Sequence, residues 1–183
     1  MSIVGMTVRV RMHPMYADFT RHLMEANKQG QVFASEKHPF GLLVKNLLRT
    51  QPRFPQKISY DAGAYVEFIL PSYDDLNTEY RNYLSENSER IISSKIRSRF
   101  NYELHQFIME MDGSGLTQIR RSILLFCETF EIQEESYKYN SLEREYKRYR
   151  DRLEIVKKTR KIASCLELFL SLVCPLFVCY SIL

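Results

Sequence analysis

The chain has 183 residues, of which 45% are hydrophobic and 26% charged, enough apolar material for a packed core and too much for an intrinsically disordered protein. Its formal charge of +4 is unevenly placed: residues 138–161 hold ten Lys and Arg against four acidic residues, whereas residues 74–137 hold seven against twelve. Four cysteines without a Cys-x-x-Cys pair, three of them in the apolar end, argue against a secreted disulfide scaffold, and Met1 to Met12 lacks the basic start and long apolar run of a signal peptide.

Met6, Val8, Val10 and Met12 alternate with Thr7, Arg9 and Arg11, which predicts a strand with one buried face. Pro14 suits the first turn of a helix carrying Met15, Phe19, Leu23 and Met24, with Asn27 to Gly30 as its end. Gln31 to Ala34 reads as a short extended piece. Pro39 opens a second helix through Leu42, Leu43, Leu47 and Leu48, which Pro52 and Pro55 stop. His13 and His38 each precede one of the helix-opening prolines, so a local structural role is expected of both. Lys57 to Tyr60 and Tyr65 to Leu70 are rich in β-formers and separated by Asp61-Ala62-Gly63-Ala64, a plausible hairpin connection. With the first strand they predict a sheet of about three strands, its inner face covered by helices.

From Asn77 onward the pattern reads as helical. Ile92, Ile96, Phe100, Leu104, Phe107, Ile108 and Met111 form a continuous apolar stripe, broken at Asp112-Gly113-Ser114-Gly115. Leu116, Ile119, Ile123, Phe126 and Phe130 mark another amphipathic helix, and Asn140 with Glu143 fits a capping pattern for a basic helix from Ser141. The predicted fold is α+β and mostly helical: a small N-terminal β-sheet with covering helices, a long central helix, a C-terminal helical pair like a helix-turn-helix, and an apolar tail helix. Residues 1–161 are expected to form a single globular domain and residues 162–183 a hydrophobic tail, a candidate transmembrane segment.

On the basic helix, Leu142, Tyr146, Tyr149 and Leu153 share one face, while Arg144, Arg148 and Arg152 project from another. Arg144, Lys147, Arg148 and Arg152 are therefore the candidate nucleic-acid-binding residues, since a row of cationic groups suits phosphates and guanine edges. Glu143, Glu145, Asp151 and Glu154 interrupt the row, and a solvated, salt-bridged helix is the plain alternative. The connection between the two helices is also longer than the tight turn of a DNA-reading helix-turn-helix. Arg9, Arg11, Arg90, Lys95, Arg97 and Arg99 could extend a binding surface, although charges in such places most often serve solubility. Residues 162–183 carry one charge, Glu167, and as a helix would reach about 33 Å, enough to span a bilayer. Lys157, Lys158, Arg160 and Lys161 stand immediately before that stretch, so anionic lipid is a second explanation for the basic helix; a buried or partner-packed tail is the alternative.

Enzymatic signatures are poor. There is no phosphate-loop Gly-Lys-Ser/Thr, Gln118 stands where a dinucleotide fingerprint needs glycine, and Ile69 stands where a metal nuclease with Asp61 and Glu67 would want its lysine. Asp74, Asp75 and Glu79 could hold Mg²⁺ but read better as complements to the dipole of a following helix. Cys127 reads as a small core residue. No catalytic residue, metal ligand, cofactor or small-molecule substrate is expected. The run Ile119 to Phe130 followed by Tyr139 to Arg152 resembles small accessory proteins of phages and bacterial mobile elements; the resemblance covers less than a fifth of the chain and implies DNA as a partner. The expected function is a non-enzymatic DNA-binding or regulatory accessory protein. The alternative is a tail-anchored membrane protein whose cytosolic domain recruits a protein partner. The expected location is cytoplasmic, with membrane association through the tail.

Overall fold

The computed structural model describes residues 6–52, 65–113 and 119–180, with the side chains of 112–113 and 165–180 left aside. Its elements are β1 (Met6–Arg11), α1 (Pro14–Leu23), β2 (Gln31–Phe33), α2 (Pro39–Leu47), β3 (Arg49–Thr50), β4 (Tyr65–Leu70), β5 (Arg81–Tyr83), α3 (Glu86–Gly113), α4 (Ile119–Thr129) and α5 (Tyr139–Tyr180), with a 3₁₀ turn at Glu134–Ser136. The fold is α+β and mostly helical, as the sequence predicts. Two compact units divide the chain, Met1–Ser141 and Leu142–Leu183.

In the first unit, β4 is the middle strand of a three-stranded sheet, antiparallel to β1 and parallel to β2. Val8 stands opposite Phe68 and Val10 opposite Val66, and with Val32 and Leu70 these side chains are buried. The period of two along each strand thus places one apolar face on the core. Met6, at the edge of that pattern, is exposed. On the other face Glu67 accepts hydrogen bonds from Gln31 Nε2 at 2.7 Å, Arg9 Nε at 3.1 Å and Thr7 Oγ1 at 3.3 Å. The Gln31 bond, with Arg9 beside it, holds the Glu67 carboxyl below the usual range despite partial burial. β3 and β5 form a second, two-stranded sheet.

The helical side of the core is aromatic. Phe100 of α3 meets Phe19 of α1 edge-on at 5.2 Å and Phe126 of α4 at 5.4 Å, and Phe130 stacks obliquely on Phe126 at 4.5 Å. Offset and edge contacts of this kind add to the area that the rings bury. Along α3 the predicted stripe is confirmed, with Ile92, Ile96, Phe100, Leu104 and Ile108 buried.

The helix ends follow local chemistry. His13 and His38 are the N-caps of α1 and α2, each accepting through Nδ1 a backbone N–H two residues on, Met15 N at 3.4 Å and Phe40 N at 3.2 Å. The proline between the cap and the donating residue has no N–H to leave unsatisfied. Ser85 caps α3, its Oγ accepting Ser88 N at 3.2 Å. α1 stops at Leu23, before Asn27 to Gly30. Ala26 N donates to Arg21 O at 2.8 Å and Glu25 N to His22 O at 3.1 Å, around a left-handed Glu25 with φ 52°. This is a Schellman closure, and α4 repeats it around Glu131 with φ 51°. Close packing accounts for Gly41, where a Cβ would lie 2.1 Å from Ser35 O.

Several sequence expectations need correction. Asn77 does not begin a helix: its Oδ1 accepts Glu79 N at 2.9 Å, a local turn that competes with helix formation, and β5 follows before Ser85 starts α3. The third strand observed in the sheet is β2, while the predicted strand Lys57 to Tyr60 and its hairpin connection lie outside the described residues. The predicted break at Ser114-Gly115 and the position Leu116 also lie outside them. α5 begins at Tyr139, so Asn140 sits inside its first turn.

Candidate functional site

α5 carries the residues that the sequence singles out. Its first residue, Tyr139, lies under the Arg120 guanidinium, 5.3 Å from ring centroid to carbon. Leu142 and Tyr146 are buried, and Tyr149 and Leu153 half-buried. Arg144, Lys147, Arg148 and Arg152 are all exposed, so the structure gathers the four on the open side of one helix. Three of them meet carboxylates of the same helix. Lys147 pairs with Glu143 at 2.7 Å, while Arg148 and Arg152 share Glu145 at 4.0 and 3.8 Å. Arg144 has no partner among the described residues. Exposed pairs of this kind are worth only about 0–1 kcal/mol, and one carboxylate between two guanidinium groups leaves net positive charge. Farther along, Lys157, Lys158, Arg160 and Lys161 are exposed with no acidic residue among them.

The other basic residues scatter. Arg9 pairs with Glu67 and lies 5.1 Å over the Tyr65 ring, and Arg99 pairs with Glu103 and lies 5.6 Å over Tyr102. Arg11, Arg90 and Arg97, in contrast, line one cleft of about 700 Å³ between the end of β1, the start of α1 and the first turns of α3. Glu89, 3% exposed, fixes Arg11 by accepting its backbone N–H at 3.1 Å and its Nε at 3.2 Å. Glu86 Oε1 lies 2.8 Å from Arg90 Nη2 and 3.9 Å from Arg11 Nη2. Sequence reasoning named these arginines without their convergence, because β1 and α3 are far apart in the chain; the only local hint is a helical spacing that puts residues 86, 90 and 97 on one side of α3.

Asp75 has a different role from the one the sequence suggested. No helix follows it directly, and its carboxylate pairs with Lys45, which also pairs with Glu36 and lies 5.0 Å over the Tyr73 ring. The hydrogen bonds that Lys45 donates to Asp75 and then to Glu36 hold its pKa above the ordinary value, which keeps this lysine charged between the two carboxylates. Tyr73 donates to Ala34 O at 2.7 Å, and burial pushes its hydroxyl up to about 12. Among the described residues no group of three His, Cys, Asp or Glu is placed to hold a metal ion. Cys127 is buried in the core of α4, as expected, and burial pushes its thiol up to about 11.

Among the described residues no helix is long and apolar enough to cross a membrane. The candidate span 162–183 is described in its backbone as far as Tyr180 and in its side chains only to Ser164, so its apolar face stands outside that statement. Comparison with protein-family models, with curated proteins and with solved structures finds no match to this chain.

Proposed function

We propose that the protein is a non-enzymatic DNA-binding or regulatory accessory protein that engages the phosphate backbone through α5. The observation that carries this reading is the exposure of Arg144, Lys147, Arg148 and Arg152 on a helix whose Leu142 and Tyr146 are buried. Backbone contact, rather than base reading, suits a row interrupted by carboxylates and a helical pair whose connection is long. The test is a gel shift with a duplex and protein lacking residues 162–183. Binding should weaken steeply with salt, as counterion release requires, and the Arg144→Gln, Arg148→Gln double variant should weaken it about equally on unrelated sequences. No shift at low salt would refute the proposal.

A second reading has its own observation. α5 runs without a break from the basic turns into the apolar stretch, as far as Tyr180, and the charge left without carboxylates is that of Lys157, Lys158, Arg160 and Lys161, immediately before it. That order suits a tail-anchored protein whose basic turns lie on anionic lipid while its body recruits a protein partner. Recovery of the full chain in a carbonate-resistant membrane fraction, lost on removal of residues 162–183, would support this reading; recovery in the soluble fraction would dismiss it.

A further inference from the structure

We infer that the cleft between β1 and α3 is a binding site for a small phosphorylated ligand, separate from α5. Its volume, about 700 Å³, falls within the roughly 300–1,000 Å³ of small-molecule sites. Its cations come from different elements and converge: Arg11 from the end of β1, Arg90 and Arg97 from α3. Ser93 and Ser94 add hydroxyl donors on the same helical wall, and Tyr16 faces them from α1.

The carboxylates in the cleft do different things. Glu89 is buried and consumed in holding Arg11 by its backbone N–H and Nε, which leaves the remaining guanidinium nitrogens of Arg11 for another partner. Glu86 is half-exposed, and a single oxygen of it lies between Arg90 and Arg11, close to the first and 3.9 Å from the second. That oxygen occupies the position an incoming phosphate oxygen would take. It is a resident anion on a flexible side chain, at a surface where such a pair is weak and readily exchanged. Arg97 has no partner among the described residues, so the cleft holds an uncompensated cation even with Glu86 in place. A phosphate bridging Arg90, Arg97 and the free edge of Arg11 would gain charge-assisted hydrogen bonds from all three, where Glu86 reaches only two.

The resident carboxylate gives the test its sign. Inorganic pyrophosphate is titrated into the full-length chain in neutral detergent at low salt, with heat of binding as the readout. One saturable site is expected. Arg90→Gln with Arg97→Gln should weaken it by roughly tenfold or more, the scale of lost charge-assisted bonds. Glu86→Gln should tighten it several-fold, and Lys157→Gln with Lys158→Gln on α5 should leave it unchanged. Arg90 and Arg97 are exposed, and unchanged thermal unfolding of their variant confirms that a loss is one of binding. No saturable binding in either the parent or the Glu86→Gln chain overturns the inference. So does binding that survives loss of Arg90 and Arg97, that weakens in Glu86→Gln, or that vanishes with the α5 lysines. DNA binding through α5 stands or falls separately, in the gel shift.

Discussion

A histidine acting as an N-cap must keep Nδ1 unprotonated, and this ties the stability of a helix to pH. At His38 burial first, and the nearby Arg99 guanidinium second, hold the pKa below its ordinary 6.5. The folded chain therefore binds a proton at His38 less readily than the unfolded chain does. Its contribution to stability is complete above the unfolded value and is lost as pH falls through 6.5 toward the depressed folded value. Urea unfolding at pH 7.5 and pH 5 should show a lower midpoint at the acid value. His38→Asn, which keeps a cap acceptor without titrating, should shrink that difference while changing stability little at pH 7.5. An equal pH dependence in parent and variant would separate the cap from the effect. The left-handed residues give a second expectation. Glu25 holds φ 52° at a position that favours glycine, so Glu25→Gly should raise the thermal midpoint. The relief of about 1–2 kcal/mol in backbone strain exceeds the roughly 0.5–1 kcal/mol that glycine costs through the unfolded chain. Glu25 is the better choice over Glu131, whose carboxylate also lies 3.8 Å from His22 Nδ1.

Elements with a strong period were legible in the sequence, and elements held by distant partners were not. β1, α1, α2, α3 and α4 follow from alternation or from a three-and-four spacing of apolar residues, because that face must leave water whatever it packs against. β3 and β5 have two and three residues, too short for any period, and they exist by pairing with each other. The end of α1 carries no signal in the sequence, because Glu25 adopts a conformation whose usual mark is glycine. At the candidate sites, exposure of the α5 row was readable from the helical wheel, but the cleft needed the buried Glu89, whose partner Arg11 is 78 residues away. For α5 itself, Glu145 draws together Arg148 and Arg152 and competes with any phosphate for both. Glu145→Gln should therefore tighten DNA binding in the gel shift by a few-fold and steepen its salt dependence, as two guanidinium groups become free to displace counterions. Unchanged affinity would mean that the row is not in the interface.

At the scale of the molecule, the first unit depends on one junction where α1, α3 and α4 meet. Phe100 touches Tyr16 and Phe19 on α1 and Phe126 on α4, and it is wholly buried. Truncating it removes apolar burial and leaves a cavity bordered by three helices that cannot all close in, which costs about 3–5 kcal/mol for a buried phenylalanine. A domain of this size has roughly 5–15 kcal/mol in total, so Phe100→Ala should lower the urea midpoint steeply and bring the body close to unfolding at 37 °C. Phe126→Leu, which keeps most of the volume at the same junction, should cost far less. The ratio of the two losses is the informative quantity. If the junction is the common support of the three helices, Phe100→Ala should also release the cleft, since Arg90 and Arg97 ride on the same α3 as Phe100 and their opposite wall includes Tyr16, a direct neighbour of that ring. Pyrophosphate binding measured below the unfolding transition should then fall in Phe100→Ala and persist in Phe126→Leu. Full binding in Phe100→Ala would show that the first turns of α3 are positioned by the Glu89 contact with β1 alone.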